Sequence, residues 1–233
     1  MTRLEARELS GGYPGVAVFS GVSFSVESGD LLTIVGANGS GKSALLETLQ
    51  GLLQSSGGVV LLDGERVQDL PPEARAARGM SLVSDRRRLF EEMTVLEHLR
   101  VGAFRAAARP GWQRRAQDLQ ALFTGLSARQ GALPTRLSGG LQQQLALARF
   151  GMSSPRVWLL DDPLQGLDEL MTGRVLDWMR SSAASGAAVI VTGQHIRMLL
   201  GVATRAMFLE GGALTALPVG GDGVDDPRVR QLL

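Results

Sequence analysis

The sequence of 233 residues has no cysteine, a single lysine, a single tyrosine and no long apolar run. Without cysteine, disulfide bonds and cysteine-ligated metal sites are excluded. Its longer apolar stretches, such as residues 187–191, fall far short of the roughly 20 residues that a membrane-spanning helix requires. The start of the sequence carries no apolar signal-peptide region. We therefore expect a cytoplasmic protein that does not insert directly into a membrane.

The sequence also lacks an excess of either positive or negative charge. The formal net charge is +1, and the densest basic run spans only residues 86–88. A chain with so little excess positive charge lacks the electrostatic attraction that dominates sequence-independent binding to nucleic acid. An exposed loop would explain the short basic run equally well. We therefore expect no nucleic-acid partner.

Short β-type runs alternate with helical segments, which predicts an α/β architecture with a largely parallel sheet. Buried strands are predicted at residues 31–35, 157–160 and 187–191. Residues 22–26 alternate apolar with polar side chains, and residues 59–62 run into an Asp-Gly turn. These two segments predict an antiparallel sheet beside the parallel one.

Two other regions carry different signals. Between residues 95 and 149 the β signal disappears and helical spacing replaces it, which predicts an inserted helical subdomain. The segment after Pro218 is rich in glycine and aspartate. We expect that tail to lie loosely on the surface.

The one lysine lies in a segment that matches the complete pattern G-x-x-x-x-G-K-[ST]. The segment consists of Gly36, Ala37, Asn38, Gly39, Ser40, Gly41, Lys42 and Ser43. It follows a predicted strand and precedes a predicted helix at residues 44–50 that Gly51 would end, which is the context the pattern requires. Its backbone N–H groups would bind phosphates, Lys42 would bridge the β- and γ-phosphates, and the Ser43 hydroxyl would ligate Mg²⁺. An ordinary glycine-rich turn is the alternative.

Two further polar segments follow apolar ones. Asp161 and Asp162 come directly after the predicted strand at residues 157–160, at the edge where parallel sheets bind ligands. Asp161 would hold Mg²⁺ through water and Asp162 would polarise the attacking water, although a polar turn would also explain the pair. Ser138, Gly139 and Gly140 open a predicted helix, whose start would suit either an anion or a simple cap.

The glycine loop, the Leu-Ser-Gly-Gly turn and the strand ending in Asp-Asp-Pro together resemble the nucleotide-binding subunit of an ATP-binding cassette (ABC) transporter. The resemblance spans nearly the whole chain. It implies the P-loop NTPase ABC-ATPase fold, a mixed sheet core with an antiparallel β subdomain and an inserted helical subdomain. Residues 1–93 and 152–217 would form the RecA-like core and the β subdomain, residues 94–151 the helical subdomain, and residues 218–233 the tail.

The resemblance also implies cofactors and partners. The cofactors would be ATP and Mg²⁺, and Ser138, Gly139 and Gly140 would close over ATP held by a second ABC ATPase subunit in a head-to-tail homo- or heterodimer. Tyr13 matches the aromatic residue that stacks on adenine. Residues 164–168 resemble the loop that contacts the opposite subunit, although Asp168 could instead be a helix N-cap.

Residues 75–80, 84–90 and 94–99 most resemble subunits of importers for branched-chain amino acids, urea and amides. That subgroup implies separate transmembrane permease subunits, a peripheral location on the inner face of the cell membrane, and import of branched-chain amino acids or related small solutes. Exposed apolar side chains at Leu89 and Phe90 would suit docking to such a partner.

Four positions depart from the family pattern, and they concentrate on catalysis. Asp85, a candidate Mg²⁺ ligand, replaces a glutamine, Leu141 replaces a polar residue, and Asp162 replaces the catalytic glutamate. Counting back from Ala-Thr-Arg at residues 203–205 places Gln194 at the switch-histidine position and His195 one residue later, so either side chain remains a candidate. His98 is expected in the helical region without a catalytic role.

The candidate catalytic residues are therefore Lys42, Asp162 and either Gln194 or His195. Aspartate is one methylene shorter than glutamate, and a misplacement of about 1 Å can lower a rate roughly a hundredfold. We expect a Mg²⁺-dependent ATPase with slow intrinsic hydrolysis. A catalytically weak ATP-binding switch and a soluble non-transport ABC ATPase are the alternatives.

Overall fold

The computed structural model describes residues 2–85, 87–104 and 111–233, so Met1, Arg86 and residues 105–110 lie outside it. Within these ranges ten strands form, at Thr2–Tyr13 (β1), Val16–Glu27 (β2), Leu31–Val35 (β3), Ser55–Leu62 (β4), Glu65–Arg66 (β5), Met80–Val83 (β6), Val157–Asp161 (β7), Ala188–Thr192 (β8), Arg205–Glu210 (β9) and Ala213–Leu217 (β10).

The same ranges contain ten α-helices and one short 3₁₀ turn at Pro134–Arg136. The helices are Lys42–Gln50 (α1), Pro72–Ala77 (α2), Val95–Gly102 (α3), Trp112–Leu122 (α4), Thr124–Ser127 (α5), Gly139–Met152 (α6), Glu169–Ala184 (α7), Ile196–Val202 (α8), Gly220–Asp225 (α9) and Pro227–Arg230 (α10). No helix in these described ranges combines the length and the apolar composition that crossing a bilayer requires.

The strands form two sheets. One has six strands in the order β10-β9-β3-β8-β7-β6, in which all neighbours are parallel except β10 and β9. The other has four antiparallel strands in the order β2-β1-β4-β5. The expected mixed sheet with a separate antiparallel sheet is therefore confirmed, as are the predicted buried strands.

Two apolar clusters cover the two faces of the six-stranded sheet. Successive side chains of a strand point to opposite faces, so Val189 and Val191 of β8 enter one cluster while Ile190 enters the other. Helices α3, α4, α6 and α7 contribute to the first cluster, and α1 with the antiparallel sheet contributes to the second. Because both faces are covered, β3, β7 and β8 are buried throughout, as parallel strands with continuous apolar sequences require.

The region from α3 to α6 is helical, and its described residues form no strand, as expected. A capping box begins α3: the Thr94 N–H donates to Glu97 Oε2 over 2.7 Å, and the Glu97 N–H donates to Thr94 Oγ1 over 3.3 Å. Satisfying these first N–H groups fixes where the helix begins. The residue at which the helical subdomain gives way to the core stays a prediction.

The tail is better ordered than its composition suggested, so the expectation of a loose segment is wrong. Helices α9 and α10 form there, and Val229 is fully buried against a cluster that includes Ile196 and Leu200 of α8. Arg228 donates to Asp226 over 2.8 Å and to Thr215 Oγ1 over 2.9 Å. These helices are too short for a periodic sequence signal, and tertiary contacts hold them instead. The tail thereby braces α8.

Candidate functional site

A cleft of about 310 Å³ opens where β3, β7 and β8 end. It is lined by most of the glycine loop and by residues from four other segments, among them Tyr13, Asp85, Asp161, Asp162 and Gln194. Parallel α/β sheets bind ligands at this carboxyl edge. Five separate segments of sequence thus meet at one concave site.

The glycine loop takes the shape that its motif predicts. A Cβ on Gly36 would lie 2.4 Å from the Leu209 carbonyl oxygen, a distance that no side chain allows. Gly41 has a left-handed backbone with φ 104° and precedes the first residue of α1, a conformation that glycine adopts at no steric cost. Helix α1 then ends at Gly51, as expected. The N-terminus of α1 therefore faces the cleft, where its dipole favours an anion.

Lys42 is held by the loop that precedes it. Its Nζ donates to the Gly36 carbonyl over 2.7 Å and to the Ala37 carbonyl over 2.8 Å. Burial lowers the pKa of the Lys42 ammonium, while the charges of Asp161 and Asp162 oppose that shift. An ammonium has three donors, and these two bonds fix the side chain in the cleft while leaving one donor for a phosphate oxygen.

The loop also contains a polar atom that lacks a partner. Ser40 Oγ is buried and has no hydrogen-bond partner among the described residues. A buried hydroxyl without a partner is unfavourable by about 1–3 kcal/mol. An anion held by the loop, or a water that accompanies it, would satisfy this hydroxyl, so the residues present fit a phosphate group.

Asp161 and Asp162 lie side by side but in different environments. Asp161 ends β7, and its Oδ1 accepts a hydrogen bond from Thr192 Oγ1 over 2.6 Å. Asp162 has a left-handed backbone with φ 47°, and its N–H donates to the Thr192 carbonyl over 3.0 Å. Burial raises the pKa of the Asp162 carboxyl, and the Gln194 N–H and the His195 and Lys42 charges oppose that shift. The pair therefore consists of one carboxylate anchored by Thr192 and one whose pKa burial raises.

The oxygen donors of the cleft fit Mg²⁺ bound together with a nucleotide. Ser43, Asp85 and Asp161 all line the cleft. No group of three or more His, Cys, Asp or Glu side chains that could hold a metal occurs within the described residues. Mg²⁺ usually takes one or two protein carboxylates and completes its shell with water and phosphate oxygens. The donor set suits that arrangement better than an all-protein metal cage.

The two candidates for the switch position differ in placement. Gln194 lines the cleft, and its N–H approaches Asp162 Oδ1 at 3.4 Å. His195 is the N-cap residue of α8 and does not line the cleft, and its Nδ1 is buried without a partner among the described residues. This placement favours Gln194, whose role stays a prediction.

His98 lies in α3, as expected. Its Nε2 accepts from the Phe90 N–H over 3.0 Å, and its Nδ1 is bonded to the Thr94 carbonyl over 2.8 Å. Because one ring nitrogen accepts and the other donates, the imidazole is neutral. Burial lowers the pKa of His98, which also favours the neutral form. Both nitrogens of His98 thus serve structural hydrogen bonds.

The Ser-Gly-Gly turn lies outside the cleft of its own chain. Ser138 is the N-cap of α6, and its Oγ accepts from the Leu141 N–H over 3.4 Å. A Cβ on Gly140 would lie 2.6 Å from the Gly166 carbonyl oxygen, so close packing against that segment requires glycine. Neither Ser138, Gly139 nor Gly140 lines the cleft that contains Lys42. The turn is therefore free to serve a site other than its own.

The structure bears on the predictions for two loops, at residues 164–168 and 84–90. Asp168 is the N-cap of α7, since its Oδ1 accepts from the Met171 N–H over 2.7 Å. Phe90 is 47% exposed, as expected, whereas Leu89 is partly buried against the main apolar cluster, so its predicted exposure is wrong. An amphipathic loop has one side on the core, and the sequence alone did not identify which side.

A second groove, of about 470 Å³, lies beside that loop. Phe90, Val101 of α3 and Arg149 of α6 are among the residues that line it, and the Arg149 guanidinium lies 5.4 Å from the centre of the Phe90 ring. Phe90 and Val101 are 47% and 40% exposed in this groove. Exposed apolar side chains that line a groove are typical of an interaction surface. We refer to it below as the docking groove.

Sequence reasoning missed several residues around the cleft. Gln165 lines it after the acidic pair. Arg87 and Gln143, discussed below, connect the docking groove to that pair. Arg87 and Gln165 lie in segments that carry the family resemblance, at residues 84–90 and 164–168, but no sequence signal gave any of the three residues a role at the cleft. Only their three-dimensional contacts do so.

Comparison with known proteins gives a consistent result. The family described as ABC transporter matches residues 19–165, more than half of the chain. The high-affinity branched-chain amino acid transport ATP-binding protein BraG of Pseudomonas aeruginosa is 32% identical, over 94% of this chain and 93% of the relative. The glutamate/aspartate import ATP-binding protein GltL of Escherichia coli K12 is 30% identical, over 95% and 93% of the two chains. A solved structure described as the ATP-binding subunit of an ABC transporter superimposes with a TM-score of 0.84 at 26% identity, covering 99% of this chain and 94% of that one.

Proposed function

Because the chain belongs to the ABC transporter family as an ATP-binding subunit, we propose that it couples ATP hydrolysis to solute import through separate membrane subunits. The observation that carries the proposal is the cleft in which the glycine loop, Lys42 and the two aspartates meet. Phosphoryl transfer depends on positioning and on compensation of charge, and this cleft offers both.

Each residue has a proposed role in the cleft. Backbone N–H groups of the glycine loop and Lys42 hold the phosphates, and Tyr13, which is 46% exposed at the rim, stacks on adenine. Ser43, Asp161 and Asp85 hold Mg²⁺, which would compensate the charge of the phosphates when bound. Asp162 accepts the proton of the attacking water, since burial raises its pKa toward the range useful for a base.

The Ser-Gly-Gly turn supports a head-to-tail dimer. Its absence from the cleft of its own chain leaves the turn available to a neighbouring subunit. In such a dimer, Ser138, Gly139 and Gly140 of one subunit close over the γ-phosphate held by the other. The second subunit is either another copy of this chain or a different ABC ATPase subunit.

The docking groove is the proposed contact with a transmembrane permease subunit, and the proposed location of the protein is accordingly the inner face of the cell membrane. The functions of BraG and GltL support amino acids, branched-chain ones included, as the class of solute. The net charge of +1 gives no support to a nucleic-acid partner.

A catalytically weak ATP-binding switch is the second candidate. The observation that favours it is the short carboxylate of Asp162 in a left-handed backbone, with Gln194 rather than a histidine beside it. Under either candidate we expect ATP binding to be intact and hydrolysis to be slow.

The experiment co-expresses the chain with candidate permease subunits and measures three quantities: affinity for a fluorescent ATP analogue, Mg²⁺-dependent phosphate release, and co-purification. Val101→Asp places a charge in the docking groove and should abolish co-purification without changing nucleotide affinity. Val219→Asp, at a similarly exposed apolar residue in the tail, is the control. Co-purification that survives Val101→Asp would contradict the docking site, and nucleotide binding without phosphate release in the complex would favour the switch.

A further inference from the structure

The loop that follows β6 is held in an unusual shape from the side of the docking groove. Arg87 and Arg88 both have left-handed backbones, with φ 55° and 42°. Residues other than glycine rarely adopt this conformation, and it persists only where surrounding contacts fix it. Arg149 supplies those contacts, since its guanidinium donates to the Arg88 carbonyl over 2.8 Å and to the Arg87 carbonyl over 3.2 Å. All three residues line the docking groove.

The side chain of Arg87 leaves the groove and reaches the start of α6. Its Nε donates to Gln143 Oε1 over 3.1 Å, and its Nη1 donates to Gln142 Oε1 over 3.3 Å. The guanidinium also passes the Ser-Gly-Gly turn, because a Cβ built on Gly139 would lie 3.5 Å from Nη1. Arg87 thus joins the loop to the turn proposed to act across the dimer.

Gln143 continues the connection into the acidic pair. The side chain is 1% exposed, and its Nε2 donates to the Pro163 carbonyl over 3.0 Å and approaches the Asp162 carbonyl at 3.5 Å. A buried amide whose oxygen and nitrogen both have partners has a fixed orientation. A displacement of Arg87 is therefore transmitted through this amide to the backbone beside Asp162.

The backbone of Asp162 is sensitive to such a displacement. Its φ of 47° lies in the left-handed region, where a residue other than glycine is held by the contacts around it. The Asp162 N–H donates to the Thr192 carbonyl, and the Asp162 carbonyl accepts from the Gln165 N–H over 3.3 Å. Gln143 adds contacts from the helical region, to the Asp162 and Pro163 carbonyls. Rotation of this backbone would redirect the carboxylate within the cleft.

We propose that Arg87 and Gln143 form a positioning relay that sets the Asp162 carboxylate according to the shape of the docking groove. Both are positioning residues, because they touch neither the cleft nor its proposed ligand. The inference rests on the proposed function for the role of Asp162, but the contacts of the relay can be tested without nucleotide. A partner seated in the groove would act on Arg88 and Arg149, and the relay would carry that change to the catalytic edge.

The first test measures hydrogen exchange of the purified full chain without nucleotide. Arg87→Met, Gln143→Ala and Arg149→Met should each speed exchange in residues 162–167 by about fivefold, which corresponds to one lost hydrogen bond. Arg149→Met acts from the groove side, so it should add little in a Gln143→Ala background. If Arg149→Met fails to fold, Arg149→Lys is used in its place. Arg180→Met, which removes an exposed arginine paired with Asp177, is the control and should change nothing there.

Two outcomes of the exchange experiment would overturn the relay. One is unchanged exchange in residues 162–167 in the Arg87 and Gln143 variants. The other is an equal increase in β8, since that would indicate general loosening rather than a local connection.

The second test separates positioning from packing by kinetics. Gln143→Glu keeps oxygens for Arg87 but cannot donate to Pro163. It should lower kcat about tenfold with little change in KM for ATP, because misplacement of a reacting group affects the chemical step. An unchanged kcat would overturn the relay. If no variant, including the unmodified protein in its complex, releases phosphate, the proposed function fails, and the exchange measurement still decides the relay.

Discussion

The two halves of the cleft are built in different ways. The half proposed to bind phosphate is a single segment of eight residues, in which glycine geometry and the N-terminus of α1 fix the backbone and Lys42 bonds to its own loop. The half proposed to carry out hydrolysis is assembled from β7, the end of β8 and the start of α6, which meet only in the folded chain. The first half conforms to its motif at every position, whereas the second contains the departures at Asp162 and Gln194.

Because the two halves are built differently, we expect them to respond differently to substitutions. A local segment keeps its shape as long as its own glycines and cap are present. A composite site depends on side-chain contacts across the whole domain, so substitutions far from it change its geometry. We therefore expect binding and hydrolysis to be separable by mutation.

The largest effect is expected at Lys42, where both functions should be lost together. Lys42→Ala should weaken ATP binding about a hundredfold, because hydrogen bonds to charged groups contribute about 1.5–3 kcal/mol each. Lys42→Arg should also bind poorly, since a planar fork does not replace a compact ammonium between two loop carbonyls. Titration with a fluorescent ATP analogue measures this, with melting temperature as a check on folding. Wild-type ATP affinity in Lys42→Ala would contradict the assignment of ATP binding to the half of the cleft that contains Lys42.

An effect limited to hydrolysis, with binding retained, is expected at Asp162. Asp162→Asn keeps a residue suited to a left-handed backbone while removing the base, and should lower turnover about a hundredfold with ATP affinity unchanged. Asp162→Glu extends the carboxylate toward the water and should raise turnover about tenfold, less than the gain in reach alone would give, because glutamate fits this backbone less well. Single-turnover phosphate release in the assembled complex provides the measurement. An unchanged rate in Asp162→Asn would exclude it as the base.

The smallest effect is expected in the tail, which braces α8 behind Gln194. Arg228→Met removes the contacts to Asp226 and Thr215 and should lower the melting temperature by about 2–4 °C, with turnover reduced within about twofold and ATP affinity unchanged. Arg230→Met, which removes an exposed pair with Asp225, is the matched control. Equal loss of stability in both variants would show that the tail does not brace α8.

The stability that the Arg228–Asp226 pair contributes has a defined pH dependence. The hydrogen bond with Arg228 lowers the pKa of the Asp226 carboxyl to about 2. A carboxyl whose folded pKa is lowered contributes stability above its ordinary pKa near 4, and loses it as the pH falls toward 2. The difference in melting temperature between the protein and Arg228→Met should therefore be constant from pH 8 to pH 5.

Much of the fold follows from local sequence. Continuous apolar runs predicted β3, β7 and β8, and the Asp-Gly pair at residues 63–64 predicted the hairpin of β4 and β5. The glycine loop takes the shape that its motif predicts, because its geometry is encoded in one contiguous segment. Helical spacing between residues 95 and 149 predicted the helical region, and the described residues there form helices and no strand.

The rest depended on contacts between distant residues. Nothing around Gln143 in the sequence indicates that its amide would reach Pro163, since that contact exists only after α6 packs beside β7. The order of the tail likewise results from burial of Val229 against α8 rather than from helix propensity. The left-handed backbone of Asp162 also lacks a sequence signal, because aspartate tolerates this conformation but adopts it at only a small share of positions.

The position of the one lysine has a practical consequence. A reagent directed at lysine amines has a single side-chain target in this sequence, and that target is Lys42 in the phosphate loop. Burial lowers the pKa of its ammonium, so a larger share of the amine is in the nucleophilic, neutral form than for an exposed lysine at the same pH. Acylation of this amine and its suppression by nucleotide would therefore report occupancy of the loop at one atom, with no background from other lysines and no engineered label.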